Sequence, residues 1–151
     1  MPIYFLTWTT YGTWLHGDER GSVVDGRVSR QTRYVRGNDA MRAEAAERMV
    51  EAPFVMDAEL RRRVDRAIRT HCDVRMWRVY ALNVRSNHVH VVLNADVRPE
   101  IAMGQLKAWS SRVLRERDPA RKRVWTRHGS TRWLNGESAI LRAIDYVTNQ
   151  Q

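Results

Sequence analysis

Cysteine is almost missing from this chain. Cys72 stands alone in 151 residues, so no internal disulfide can form and a reducing compartment is expected. No multi-cysteine zinc site can be built either. No basic-then-apolar leader opens the chain, and no apolar run approaches the roughly 20 residues that cross a bilayer. A cytoplasmic protein without a membrane partner is the expectation. Repeats and low-complexity tracts are also lacking. Lysine is scarce, with only Lys107 and Lys122, so 24 of the 26 basic residues are arginine. Against 17 acidic residues the formal net charge is +9. That excess favours a polyanionic partner, because cationic side chains on phosphates release condensed counterions. Nucleic acid leads, ahead of an acidic protein or a membrane surface.

A hydrophobic fraction of 43% with six tryptophans implies a folded core. The length fits one domain spanning residues 1–151. Residues 3–10 are aromatic and β-branched and predict a first strand. From about 16 to 53 lies a polar insertion punctuated by Gly17, Gly21, Gly26 and Gly37, with a short helix expected from Asp39 to about Glu51. Asp57 opens a firmer helix whose apolar stripe is Leu60, Val64, Ala67 and Ile68. Residues 76–84 and 87–94 predict an antiparallel hairpin turning at Arg85-Ser86. Pro99 starts the next helix, with Ala102, Leu106, Trp109 and Val113 inward and Asp118-Pro119 as its stop. Trp125 and Trp133 flank a turn at Gly129, read as a small hairpin. A last helix, capped by Asn135 or Ser138, turns Ile140, Leu141, Ile144 and Val147 inward. The order points to an α+β fold, a ferredoxin-like (RRM-like) antiparallel sheet with helices on one face and an added C-terminal helix.

Within the hairpin, Asn87-His88-Val89-His90-Val91-Val92-Leu93 carries the most chemical information. Strand side chains alternate, so His88 and His90 share one face while Val89, Val91 and Leu93 take the other. Two imidazoles at that spacing, roughly 6.5–7 Å between Cα atoms, can reach one metal ion. With the valines under the helices, the histidines fall on the sheet's open face. In the last helix Tyr146 and Gln150 lie about 40° apart around the axis, off the apolar stripe. Either Tyr146 covers surface as amphipathic tyrosines do, or it serves the site. His16, His71 and His128 have no partner at metal spacing. Trp8, Trp14, Trp125 and Trp133 are candidates for base stacking or, more simply, for the core. Arg20, Arg27, Arg30, Arg33 and Arg36 could clamp a DNA hairpin from the insertion.

Taken together, Ser86-Asn87-His88-Val89-His90-Val91-Val92-Leu93, the helix around Gln105-Leu106-Lys107-Ala108-Trp109-Ser110, and Tyr146-Val147-Thr148-Asn149-Gln150 form a recognisable set. The chain resembles the single-tyrosine HUH transposases, the insertion-sequence enzymes of single-stranded DNA and their REP-associated relatives. Leu6 to Leu15 and Gly17-Asp18-Glu19-Arg20-Gly21 look like one branch of that family. The resemblance implies metal-dependent cleavage and strand transfer of single-stranded DNA. Tyr146 would be the nucleophile, giving a 5′-phosphotyrosine. His88, His90 and Gln150 would hold one divalent cation, magnesium or manganese, with Gln151 an alternative to Gln150. Neutral ligands would leave the ion's charge available to a phosphate. Lys107 would contact DNA near the site, unless it is a solvated helix lysine. The family further implies a hairpin in the DNA and either a homodimer or a monomer.

Three other readings use the same residues. A domesticated REP-associated enzyme would share the chemistry without mobilising itself. A noncatalytic ferredoxin-like nucleic-acid-binding module would have histidines merely lining its sheet, although such sheets usually present aromatics. A water-activating hydrolase is disfavoured because the histidine strand carries no carboxylate.

Overall fold

Strand β1, Ile3–Thr9, alternates strictly, burying Tyr4, Leu6 and Trp8 while Phe5, Thr7 and Thr9 take the other side. That alternation gives it one fully buried face, and pairing on both edges makes it one of the two interior strands of the sheet. The computed structural model describes residues 1–13, 22–23, 34–35 and 51–149. The expected helix from Asp39, the five insertion arginines, Trp14, His16, Gln150 and Gln151 lie outside the described residues. Within the insertion, β2 (Ser22–Val23) and β3 (Tyr34–Val35) pair antiparallel, where the glycine-rich composition predicts only loop.

Helix α1, Ala58–Arg75, buries Leu60, Val64, Ile68 and Cys72 at four-residue spacing. Asp57 caps it, its carboxylate accepting the Leu60 backbone N–H at 2.9 Å. Strands β4 (Val79–Val84) and β5 (His88–Asn94) form the expected hairpin, closed by Arg85 N–H to His88 O at 2.8 Å. Helix α2, Pro99–Arg117, carries proline in its first turn and buries Ala102, Met103, Leu106, Ser110 and Leu114. Trp109, expected inward, is 45% exposed, since the buried stripe rotates toward Met103 and Ser110.

Strand β6, Ser130–Leu134, is not half of a hairpin with the Trp125 segment. It pairs with β1, and Trp125 only bridges Thr10. Long-range pairing with an already central strand outcompetes the local turn. Gly129 is needed at the entry to β6, because a Cβ there would sit 2.5 Å from the Thr7 carbonyl oxygen. Helix α3, Glu137–Asn149, follows Gly136 at φ +88°, so neither Asn135 nor Ser138 stands directly before it.

The sheet order is β4-β5-β1-β6, all antiparallel. Helices α1 and α2 cover the face of Tyr4, Leu6, Trp8, Val89, Val91 and Leu93. Helix α3 lies on the opposite face, where Val147 joins Ala81, Val92 and Leu134. Leu141, expected inward, is 58% exposed, because α3 meets the sheet through Ala139, Ile140, Ala143, Ile144 and Val147. The α+β, ferredoxin-like expectation therefore holds, with two helices on one face and the third on the other. Among the described residues no helix is long and apolar enough to cross a membrane.

Asp57 does more than cap α1. The Arg117 guanidinium at the end of α2 reaches its carboxylate at 2.6 Å, and that bond, with the Leu60 N–H, holds the Asp57 pKa down at about 2. A depressed carboxylate stabilises the fold above its unfolded pKa and loses that contribution as pH falls through about 2. Asp57→Asn should therefore melt below the parent at pH 7. The gap should narrow from about pH 4 downward, as thermal melts across pH would show.

Candidate active site

Strand β5 runs between β4 and β1, so its histidines have neighbours on both sides. His90 lies opposite Thr7 of β1 and Asn83 of β4, and His88 lies opposite Thr9. The valines on the other side are fully buried under α1 and α2, which fixes the strand's facing. His88 and His90 accordingly project together, their ring centroids 4.7 Å apart.

Both rings are held through Nδ1. His88 Nδ1–H donates to the Asn87 side-chain oxygen at 2.7 Å, since an amide oxygen only accepts. His90 Nδ1 bonds Thr7 Oγ1 at 2.8 Å. With the hydroxyl as acceptor, His90 takes the same tautomer. Burial, reinforced by neighbouring His88 and Arg85, pushes the His90 pKa down to about 4. The ring is thus neutral near pH 7, the form that ligates metal.

The histidine face is not open throughout. Helix α3 crosses part of it and leaves His90 only 8% exposed. Asn83 Nδ2 donates to the Val147 carbonyl at 3.2 Å, tying the helix end to β4. With Val147 turned into the sheet, Tyr146 meets the edge of the histidine site. Its ring stands edge-on to His90 at 5.8 Å and to Phe5 at 6.1 Å, while Phe5 stacks on His90 at 5.6 Å. Tyr146 remains 42% exposed, so an incoming group can reach it. Three sequence candidates, His88, His90 and Tyr146, are brought together by one chain.

Lys107 is not a solvated helix lysine. Its ammonium donates to the carbonyls of Thr126 at 2.8 Å and of Arg127 and His128 at 3.4 Å. Burial lowers its pKa to about 8. Its own carbonyl accepts the Trp125 indole N–H at 3.0 Å. The segment so pinned supplies Thr126, whose hydroxyl bonds Thr9 Oγ1 at 2.8 Å beside His88. Lys107→Met takes the ammonium away from the Thr126 and Arg127 carbonyls, while the His128 carbonyl keeps the Thr126 hydroxyl at 3.3 Å, and chemical denaturation should show a loss of about 1–3 kcal/mol. Unchanged stability with weakened DNA binding would instead make Lys107 a DNA contact.

Thr7 and Asn87 are the orienting residues that composition does not announce. The signal for Thr7 lies in β1's alternation, which leaves a threonine on the less apolar side of a strand otherwise rich in large side chains. His71, without a metal-spaced partner in sequence, bonds Gln105 Oε1 at 2.8 Å and stacks on Trp109 at 5.7 Å. Trp8 is buried, Trp125 packs against the core, and Trp133 is 56% exposed. Among the described residues no three His, Cys, Asp or Glu side chains gather to hold a metal ion. A cation at His88 and His90 needs a ligand of another kind or from elsewhere.

The family described as "Transposase IS200 like" matches residues 51–150, which include β5, α2 and α3. A solved structure of a REP-associated tyrosine transposase bound to a REP hairpin has a similar fold, with a TM-score of 0.55 at 11% identity. The alignment covers 97% of this chain and 64% of that one, so this chain spans less than two-thirds of the relative's length. No curated protein matches the sequence.

Proposed function

Because the chain belongs to the IS200-like transposase family, we propose that it cuts and rejoins single-stranded DNA, with Tyr146 as the nucleophile and His88 and His90 as metal ligands. The observation that carries this reading is the 5.8 Å contact between the Tyr146 and His90 rings on the one face that also holds His88. Two imidazoles held through Nδ1 would hold a divalent cation, with the Gln150 amide oxygen as third ligand. Nitrogen ligation suits manganese better than magnesium, the two ions that the family resemblance implies. When bound, the ion would polarise the scissile phosphate and offset charge on its non-bridging oxygens.

The protein's own part is nucleophilic. Tyr146 Oη attacks phosphorus in line, the Oη–P bond forms and the P–O3′ bond breaks. A 3′-hydroxyl leaves and a 5′-phosphotyrosine remains, so the phosphodiester's energy is kept for joining to another strand. Attack by a 3′-hydroxyl reverses the step and frees the phenol. Phe5 backs both the phenol and His90, and Thr7 keeps the imidazole turned. Phenol and imidazoles meeting within one chain support attack by Tyr146 in its own subunit, in a monomer or in either half of a homodimer. The substrate we propose is single-stranded DNA carrying a hairpin, by analogy with the hairpin bound to the structural relative.

The test is a covalent adduct between the protein and labelled single-stranded DNA, resolved on a denaturing gel with magnesium or manganese. Adduct should form with the ion and vanish with EDTA. Retention of DNA binding without any adduct under either ion would favour the noncatalytic module.

A further inference from the structure

Helix α3 covers the histidine face unevenly. It packs on Ala81 of β4 and Val92 of β5, ends beside Asn83 of β4, and reaches β6 at that strand's last residue, Leu134, so it lies mainly over the β4–β5 side. Toward β6 the same face carries Thr7, Ser130 and Arg132. The register sets Arg132 beside Phe5 and Ser130 beside Thr7. Phe5 is the ring that touches both His90 and Tyr146. Ser130 and Arg132 are exposed, and the Arg132 guanidinium forms no hydrogen bond or ion pair with any described residue. Several other described arginines are spent: Arg63 and Arg69 on helix carboxylates, Arg117 on Asp57, Arg115 and Arg121 on carbonyls.

We infer that Arg132 binds a phosphate of the DNA strand next to the scissile one, guiding the strand over the β1–β6 side of the sheet into the site. This rests on the reading of the site as one that acts on single-stranded DNA. Two strand spacings separate β6 from β5, roughly 10 Å, so Arg132 serves a neighbouring phosphate rather than the one at the histidines. An exposed, unpaired guanidinium offers a forked set of donors to phosphate oxygens without first breaking a protein contact. The contact is to backbone, so it positions the strand without reading its bases.

The competing role is protection of a sheet edge, since β6 is the outer strand and edge arginines deter pairing between molecules. Binding of a labelled oligothymidylate and of a mixed-sequence strand, measured against salt in a Tyr146→Phe background, separates the two. Arg132→Gln should weaken both strands alike, about 5- to 10-fold at roughly 50 mM salt, and lower the log–log salt slope by about 0.7. Arg132→Lys should restore most of the slope, and Arg112→Gln, on α2 across the sheet and over the Trp109 ring, should leave it unchanged. An unaltered slope and affinity in Arg132→Gln overturns the inference, as does self-association with DNA binding intact. The two readings fail separately. A wild-type adduct with an unchanged Arg132→Gln slope removes only the guiding role. A reduced slope with no wild-type adduct removes only the cleavage chemistry.

Discussion

Tyr146→Phe should leave no denaturation-resistant DNA adduct above background while the protein still folds and binds DNA. The substitution deletes one oxygen and nothing else. The ring remains to meet His90 and Phe5 edge-on, and the helix still docks through Val147. The phenol is 42% exposed, so its loss should change folding stability by no more than roughly 0.5 kcal/mol. An effect on chemistry without one on stability is the signature of a nucleophile. Adduct persisting in Tyr146→Phe would assign the attack to another side chain and leave the tyrosine a packing role.

His90→Ala should reduce adduct formation by a factor on the order of 10² to 10³, as expected when one electrostatic anchor of a transition state is removed. His90 is 8% exposed and stacked on Phe5, so the truncation also opens a cavity and lowers stability. Thr7→Val keeps the imidazole and the volume but removes its 2.8 Å partner. It should cost about 10- to 100-fold in metal affinity or adduct yield, recoverable in part by raising the manganese concentration. A Thr7→Val protein with unchanged metal dependence would mean that the hydroxyl does not orient the ligand. A His90→Ala protein with full activity would remove the metal site from this face altogether.

The two variants probe different lengths of chain. His88 and His90 share a face because successive strand residues alternate, and that rule acts over three residues. Thr7 reaches His90 across 83 positions, a pairing set by β1 lying between β5 and β6. That residues 3–10 form a strand was legible in sequence, but not which strands it would flank. Leu141 and Trp109 show the same limit in helices. Apolar spacing marks a stripe, while the partner surface decides how wide it is and which edge faces solvent.

Local backbone geometry, written in residue order, was enough to specify the paired imidazoles, the Asp57-capped helix and the hairpin at Arg85-Ser86, and composition alone set the strong positive charge. Tertiary packing alone determined that α3 would cross the histidine face, bring Tyr146 against His90, and commit Lys107 to the carbonyls of residues 126–128. The physical reason is range. Periodicity follows from dihedral angles a few residues at a time, whereas a site shared by β1, β5 and α3 exists only once distant apolar faces have chosen their partners.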